Sequence, residues 1–155
     1  MACIWFGRYS IEDIRHFETG NMLNHIGIEL TELGDDYLKG TMPVDNRTRQ
    51  TMGILHGGAS VALAETLGSI AANLVVDPLQ FACVGLDINA NHIRAAMSGF
   101  VTGTARPLHI GGSTHVWGIE ITDENNRMVC ISRLTMAVLK LDKGGLGKNP
   151  FARHI

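Results

Sequence analysis

Residues 58–76 have the sequence GASVALAETLGSIAANLVV, in which Glu65 is the one charged side chain. The other side chains are almost all small or apolar, so a helix here is apolar on nearly every face and must be buried on most of them. A membrane span is the alternative interpretation, but a carboxylate in the middle of a span is costly, and Gly68, Ser69 and Asn73 disfavour it further. The pattern therefore favours a helix that a sheet surrounds.

The sequence on either side of this helix predicts strands. Before it, residues 28–32 and 37–42 flank a turn at 34–36, and the alternation of apolar and polar residues in the second run predicts a hairpin. After it, strand-like segments follow at 82–90, 100–105, 116–122 and 128–139, with turns at 107–113 and 123–126. The order of strands and helix predicts an α+β fold in which an antiparallel sheet wraps around a long central helix.

The two ends of the chain carry weaker patterns. Ser10 followed by Asp13 is typical of a helix cap and predicts a short helix, and a second helical turn is predicted at 22–26. Near the other end, the sequence KGGLGKNP is rich in glycine. We therefore expect a single domain over residues 1–142 and a flexible tail over residues 143–155.

Composition and charge limit the functional classes. The chain has 155 residues, of which 45% are hydrophobic and 18% charged, which fits one domain with a sizeable core. A formal net charge of -2 disfavours binding to nucleic-acid backbones. Cys3, Cys83 and Cys130 have no CxxC spacing, so we expect free thiols, and the first residues lack the apolar run of a signal peptide. A cytoplasmic protein with no nucleic-acid or membrane partner is therefore expected.

Glu65 is the main candidate catalytic residue. It is the only charged residue between Arg49 and Asp77, and burial in an apolar helix raises the pKa of a carboxyl group. A glutamate that reaches solvent or pairs with an arginine is the alternative, but no Lys or Arg lies one helical turn away. Ser69 shares the helix face of Glu65 and is placed to orient the carboxylate.

The sequence His56-Gly57-Gly58 precedes the helix and places unpaired backbone N–H groups at its positive end, where a carbonyl oxygen that acquires negative charge can bind. Gly57 and Glu65 are eight residues apart, which corresponds to about 12 Å along one helix. Both groups need to lie within about 3 Å of the same carbonyl, and one helix cannot achieve this. Two antiparallel copies can, so we predict an obligate homodimer with active sites across the subunit interface.

Four blocks in this order resemble the hotdog-fold acyl-CoA thioesterases. The blocks are MPVDNRTRQ (42–50), ILHGGASVALAETLGS (54–69), VGLDINANHIR (84–94) and RPLHIGGSTHVW (106–117). The resemblance is to the branch that hydrolyses aryl-CoA esters, and it covers about residues 22–140. It implies hydrolysis of an aromatic acyl-CoA, with 1,4-dihydroxy-2-naphthoyl-CoA of menaquinone biosynthesis as the leading candidate and 4-hydroxybenzoyl-CoA nearby. It also implies association of two dimers into a homotetramer.

The resemblance implies a role for each matching residue at the reaction centre. Glu65 matches the family's catalytic carboxylate, which acts as nucleophile or as base for an attacking water. Gly57 matches the backbone donor that polarises the thioester carbonyl. Gln50 and His56 match residues that orient the thioester and the leaving thiolate, and Ser69 matches the hydroxyl that holds the water or the carboxylate.

The resemblance also implies contacts with coenzyme A. Arg94 is the natural partner for a nucleotide phosphate. This chain has Thr51-Met52 where close relatives often have Pro-Phe, so its acyl pocket is expected to differ from theirs. The turn 111–114 lacks a basic residue that some relatives carry, so the phosphate contacts at this turn are expected to differ as well. The positions that match coenzyme A contacts are Gly85, His92, Ile93, Arg94, Ala95, His109, Ile110, Gly111, Gly112, Ser113 and Thr114.

Other functions stay open on the sequence. A hotdog dehydratase or hydratase would use a histidine with an acidic partner, and a non-catalytic module would bind acyl-CoA without turnover. Mischarged acyl carriers, as in siderophore assembly, and medium-chain acyl-CoA are alternative substrates. We expect neither cofactor nor metal, because a thiolate leaves without a strong acid and because the spacing of His92, His109 and His115 matches no zinc pattern. The absence of a GxSxG motif disfavours an α/β-hydrolase.

Overall fold

Strands make up much of the structure, and one long helix lies against them. The computed structural model describes residues 3–16, 20–141 and 149–153. In chain order the elements are α1 (Ile11–Arg15), α2 (Met22–Ile26), β1 (Glu29–Leu33), β2 (Leu38–Pro43), α3 (Gly57–Val75), β3 (Phe81–His92), β4 (Phe100–Ile110), β5 (Thr114–Asp123), β6 (Met128–Lys140) and a 3₁₀ helix (Pro150–Arg153).

The strands form one six-stranded antiparallel sheet in the order β1-β2-β4-β5-β6-β3. The first hairpin joins the rest of the sheet through β2, which pairs with β4, whereas β3 follows α3 and pairs with β6 at the opposite edge. Helix α3 packs against β2, β3, β4, β5 and β6. The predicted α+β class and the hotdog arrangement of a sheet around a long central helix are therefore confirmed.

Helix α3 packs closely on the sheet because strand glycines leave room for its side chains. Leu67 has no exposed surface. A Cβ atom added at Gly103 would lie 2.6 Å from Leu67 Cδ1, and one added at Gly40 would lie 2.9 Å from Leu67 Cδ2. By length and composition α3 could cross a membrane. However, Leu63, Leu67 and Leu74 are buried against the strands, as expected for a core helix.

The first short helix begins at the predicted cap. The Ser10 hydroxyl accepts a hydrogen bond from Asp13 N at 3.2 Å, and the Asp13 carboxylate accepts one from Ser10 N at 2.8 Å, which is a reciprocal capping box. The second helix, α2, is also present, and Asn21 caps it by accepting from Leu23 N at 3.1 Å. Asn21 therefore marks the start of α2. The position of this helix matters because its residue Leu23 lines a cavity described below.

One predicted turn begins too early. Strand β4 continues through Pro107 to Ile110, and the chain turns at 111–113. A proline usually ends a strand because it has no N–H to donate. Here the pairing of β4 with β5 shifts register between Pro107 and His109, and this irregularity accommodates the proline. His109 and Ile110 are therefore strand residues.

The flexible tail stays a prediction, and the structure describes one short helix within it. Residues 142–148 lie outside the described residues, but the 3₁₀ helix that follows them packs onto the domain. Phe151 is 3% exposed and makes an edge contact with Tyr9, with 6.4 Å between the ring centroids. Glycine-rich composition predicts flexibility, whereas one buried aromatic side chain provides enough contact area to hold a short segment in place.

Candidate active site

Two cavities of similar size lie along α3. The Gly57 cavity, at the start of the helix, has a volume of about 330 Å³ and is lined by Gln50, Ile54, Leu55, Gly57, Ser60, His92, Ile93, Arg94, Ala95 and Val129. The Glu65 cavity, beside the middle of the helix, has a volume of about 340 Å³ and is lined by Leu23, Glu65, Thr66, Ser69, Ile70, Asn73, Pro150 and Phe151. The two cavities share no described residue.

The start of α3 exposes a backbone donor to the Gly57 cavity. His56 caps the helix, and its Nδ1 accepts a hydrogen bond from Gly58 N at 2.8 Å. This bond uses one of the N–H groups that a helix start leaves unpaired. Within the described chain, no group accepts a hydrogen bond from Gly57 N. The Gly57 N–H is therefore a free donor at the positive end of the helix dipole.

Gln50 and His92 reach the Gly57 cavity from two parts of the chain. Gln50 lies in the loop before α3, where Gln50 N donates to Ile54 O at 2.9 Å, and its side-chain Oε1 accepts from Met52 N. His92 ends β3 and lies against the helix start, since a Cβ atom added at Gly57 would be 2.8 Å from His92 Nε2. The cavity therefore combines a helix N-terminus with an amide and an imidazole.

The chain after β3 completes this cavity. Ile93, Arg94 and Ala95 follow His92 directly, and the backbone of this segment is held by Ile93 N, which donates to Val129 O at 2.8 Å. Arg94 is exposed and forms no ion pair with any described residue. An exposed, unpaired guanidinium at the rim of a cavity is suited to bind a phosphate group.

Glu65 lies half-buried in the other cavity, with Oε1 against strand β3. A Cβ atom added at Gly85 would be 2.5 Å from Glu65 Oε1, so a larger residue there would require the carboxylate to shift. Burial raises the pKa of the Glu65 carboxyl above its ordinary value. No lysine or arginine in the described chain forms an ion pair with it. The alternative of a pairing with an arginine is therefore wrong within the described chain, whereas the side chain is only partly removed from solvent.

Asn73 holds α3 and β3 together about two helical turns beyond Glu65, at the wall of the same cavity. Its Nδ2 donates to Ser69 O at 2.9 Å and to Cys83 O at 3.0 Å, and its Oδ1 accepts from Cys83 N at 2.8 Å. These bonds keep β3 in register with the helix and so keep Gly85 against Glu65. Ser69 lines the same cavity, but within the described residues its hydroxyl makes no hydrogen bond to Glu65.

The structure separates the predicted reaction centre into two half-sites. Gln50 and Gly57 line one cavity, with His56 beside them, whereas Glu65 and Ser69 line the other. Their positions on one straight helix leave about 12 Å between Gly57 and Glu65 along the axis. A single chain therefore does not bring the donor and the carboxylate to one substrate atom.

The predicted coenzyme A positions are divided in the same way. His92, Ile93, Arg94 and Ala95 line the Gly57 cavity, whereas Gly85 contacts Glu65. The end of β4, the turn after it and the start of β5 line neither cavity in the described chain. The predicted contact residues in this stretch are His109, Ile110, Gly111, Gly112, Ser113 and Thr114.

Three histidines do not form a metal site in the described part of the chain. No group of three His, Cys, Asp or Glu side chains there is arranged to hold a metal ion. His115 is 1% exposed, and burial, with the nearby His109 as a smaller cause, lowers its pKa. His115 is therefore a neutral core residue, and His92 is the histidine that reaches a cavity.

Sequence reasoning missed the walls of the Glu65 cavity. Leu23 comes from α2, and Pro150 and Phe151 come from the C-terminal 3₁₀ helix, so both walls are distant in sequence from Glu65. Phe151 had a usable signal, because an aromatic residue is unusual in a glycine-rich tail. Leu23 had no comparable signal, because the sequence around it does not differ from that around any other half-buried leucine of a short amphipathic helix.

The model of the thioesterase superfamily matches residues 52–130 of this chain. The 1,4-dihydroxy-2-naphthoyl-CoA hydrolase of Escherichia coli strain K12 is 49% identical over 136 residues, which cover 88% of this chain and 99% of that protein. The proofreading thioesterase EntH of Cronobacter turicensis is 48% identical over 136 residues, which cover 88% of this chain and 98% of that protein.

Solved structures agree with these relatives. The crystal structure of a thioesterase from Haemophilus influenzae has a TM-score of 0.88 and 43% sequence identity, and it covers 92% of this chain and 99% of its own. A similar Staphylococcus aureus protein has been solved both with a glutamine and with a glutamate replaced by alanine. Those two positions are separated by the same number of residues as Gln50 and Glu65.

Proposed function

The chain belongs to the thioesterase superfamily and is a thioester hydrolase, and we propose that it hydrolyses an aromatic acyl-CoA, with 1,4-dihydroxy-2-naphthoyl-CoA as the leading candidate. The observation that carries the proposal is the Glu65 carboxylate, half-buried beside Gly85 in a cavity and without a cationic partner in the described chain. The name of the Escherichia coli relative, at 49% identity, supports the choice of acyl group.

In the proposed reaction, Glu65 takes a proton from a water whose oxygen attacks the thioester carbonyl carbon. The Gly57 N–H donates to the carbonyl oxygen as it becomes negative. The carbon–sulfur bond then breaks, the thiolate of coenzyme A leaves and takes up a proton, and the acyl group leaves as a carboxylic acid. A thiol with a pKa of about 8.5 leaves without a strong general acid. Direct attack by Glu65 on the carbonyl is the alternative first step.

The raised pKa of Glu65 suits this role. A carboxylate with a raised pKa is a stronger base than an ordinary glutamate, and it stays ionised as long as its pKa lies below the working pH. Gln50 and His56 are proposed to orient the thioester and the leaving thiolate, and Ser69 is proposed to hold the attacking water. The Ser69 hydroxyl is free for this task, because within the described chain it makes no bond to Glu65.

We further propose that the two half-sites combine in a homodimer. Strand β3 pairs with β6 along one edge, and its other edge pairs with no described strand. If two copies join along this edge with their α3 helices antiparallel, Gly57 of one copy lies beside Glu65 of the other. Two dimers are proposed to form a homotetramer in the cytoplasm, where the free state of Cys3, Cys83 and Cys130 is expected.

Coenzyme A is proposed to bind along the rim of the Gly57 cavity. Arg94 would pair with a phosphate of the nucleotide, and His92, Ile93 and Ala95 would contact the rest of coenzyme A. Gly85 and the turn residues His109, Ile110, Gly111, Gly112, Ser113 and Thr114 are proposed to contact coenzyme A in the assembled oligomer, since in one chain they line no common cavity.

Thiol release from a panel of aryl- and fatty-acyl-CoA esters tests the proposed function. We expect an aromatic ester to give the highest kcat/KM. Glu65→Gln should lower kcat by about 10²–10⁴-fold while calorimetry shows that acyl-CoA still binds. Glu29→Gln, on exposed strand β1, is the matched control and should leave kcat unchanged. A fully active Glu65→Gln variant would contradict the catalytic role, and binding without any turnover by the unmodified chain would indicate a non-catalytic module.

A second substrate class has specific support. The Cronobacter turicensis relative, at 48% identity, is named a proofreading thioesterase. The second candidate function is therefore release of acyl groups from a carrier protein on which they were wrongly loaded. The same acyl group presented on coenzyme A and on a carrier protein distinguishes the two, because the better substrate has the higher kcat/KM. Hydration or dehydration of an acyl thioester would release no thiol in either assay.

A further inference from the structure

The C-terminal segment, Asn149 with the 3₁₀ helix Pro150–Arg153, forms one wall of the cavity that contains Glu65. We propose that this wall limits the size of the acyl group, so that the enzyme accepts compact aromatic acyl groups and rejects long alkyl chains. The proposal rests on the proposed function, because it takes the Glu65 cavity as the acyl pocket. It adds a specificity determinant that lies outside residues 52–130, the part matched by the family model.

The segment is attached to the domain by buried hydrogen bonds. The Asn149 side chain, on a residue 2% exposed, donates to Asn73 Oδ1 at 3.2 Å and to Phe81 O at 3.0 Å. Asn149 Oδ1 also accepts from Phe151 N at 3.1 Å. Asn73 in turn bonds to the backbone of Ser69 and Cys83. The wall is therefore connected to the helix that carries Glu65 through a continuous set of buried polar contacts.

Phe151 forms the apolar part of this wall. Its ring packs edge-on against Tyr9, 6.4 Å between centroids, and the residue is 3% exposed while still lining the cavity. Across the cavity, Leu23 of α2 and Ile70 of α3 provide further apolar surface. Polar groups come from the α3 side, which carries Glu65. The cavity thus has a reactive side and an apolar side.

The cavity offers space of the size that an aromatic acyl group needs. About 340 Å³ lies near the lower limit of roughly 300–1,000 Å³ for ligand pockets. A single or fused aromatic ring fits such a space, and its flat apolar surface matches Phe151 and Leu23. A long alkyl chain that extends towards the C-terminal segment would meet the Phe151 ring. The wall therefore acts against long chains by steric exclusion, which is how pockets discriminate against larger substrates.

The test compares benzoyl-CoA with dodecanoyl-CoA in the full-length chain. Phe151→Ala should raise the ratio of kcat/KM for dodecanoyl-CoA to that for benzoyl-CoA by about tenfold. Asn149→Ala, which removes the anchor and leaves the ring, should shift the ratio in the same direction by a smaller factor. Phe6→Ala is the matched control, because Phe6 is 52% exposed and does not line the cavity, and it should leave the ratio unchanged.

The outcomes separate this proposal from the proposed function. If Phe151 and Asn149 only stabilise the fold, both substrates lose activity together and the ratio stays constant, which overturns the proposal. The Kd of each ester, measured in the Glu65→Gln background, gives the same ratio without turnover, and an unchanged Kd ratio also overturns it. Failure of the proposed function is a different result, namely no thiol release from any ester by the unmodified chain. Thermal unfolding of each variant confirms that all assays use folded protein.

Discussion

The Gly57 cavity and the Glu65 cavity lie on the same helix but are built in different ways. The Gly57 cavity takes its donor from the backbone at a helix start, and its other walls come from the loop before α3 and the end of β3. The Glu65 cavity takes its carboxylate from a side chain, and its walls come from α2, α3 and the C-terminal 3₁₀ helix. A backbone donor needs only local geometry, whereas a carboxylate with a raised pKa needs walls that exclude water.

The difference between the two cavities suggests how two copies of the chain would form one complete site. In the proposed dimer each cavity would supply what the other lacks, since the Gly57 N–H is proposed as the hydrogen-bond donor for an oxyanion and Glu65 as the base. The Gly57 cavity carries the exposed Arg94 at its rim, whereas the Glu65 cavity carries the half-buried Glu65 among apolar side chains. A substrate with a charged nucleotide and an apolar acyl group fits this polarity when two copies of the chain place the cavities together.

After Glu65→Gln, the largest expected effect comes from removing the donor in the Gly57 cavity. Gly57→Pro eliminates the backbone N–H, and proline suits the first position of a helix, where no intrahelical bond is lost. The extended backbone of His56, with ψ 132°, also suits a following proline. We expect kcat to fall by about 10²–10³-fold. Gly57→Ala keeps the N–H and should lose much less, although its methyl group must displace His92.

Mixing two inactive variants shows whether the cavities act across subunits. A dimer of one Gly57→Pro chain and one Glu65→Gln chain has one doubly defective site and one intact site. Mixed dimers, purified from co-expressed chains that carry two different affinity tags, should therefore have about half the activity of the unmodified protein. Complete inactivity of the mixed dimer would show that each site uses residues of one chain alone.

A smaller effect is expected from moving the carboxylate in the Glu65 cavity. A Cβ atom at residue 85 would lie 2.5 Å from Glu65 Oε1, so Gly85→Ala must displace the carboxylate. A displacement of about 1 Å at a reacting group costs on the order of 100-fold in rate. Gly118→Ala is the matched control, because its methyl group would meet Leu108 at an ordinary 3.4 Å. Equal kcat values for the two alanine variants would contradict the placement of Glu65.

The smallest effect concerns stability and its dependence on pH. Burial raises the pKa of Glu65, so the folded chain favours the protonated carboxyl. The stability gained from protonation is present below the ordinary carboxyl pKa and is lost as pH rises through the raised pKa. Glu65→Gln should therefore raise Tm at pH 8 and leave it nearly unchanged at pH 3. Glu29→Gln is the control. A gain in Tm that is equal at both pH values would contradict a desolvated Glu65 carboxylate.

Much of the fold was predictable because its signals are local. The apolar run around Glu65, the alternation in β2 and the cap at Ser10 each correspond to an element in the structure. The predicted turn at Pro107 failed because a register shift absorbs the proline, and neighbouring strands control such shifts. The contact of Phe151 with Tyr9 was not predictable from the composition of the tail, because composition averages over single residues.

The candidate site was predictable to the same extent. Glu65 and Gly57 stood out by charge and by position at a helix start, and the helix geometry alone separated them by about 12 Å. The contact between Glu65 and Gly85 was not foreseen as such, because it depends on how β3 packs on α3. The same holds for Leu23, which joins the site from a helix that precedes the whole sheet.

The sequence alone determined the long apolar helix, the succession of strands before and after it, and the single acidic group within it. These features depend on side-chain periodicity and charge, which act over a few residues. Tertiary structure alone decided which distant residues line the cavity of that acidic group. Leu23 and Phe151 come to this cavity from remote segments, and no periodic pattern in a sequence specifies which distant residue an apolar side chain will meet.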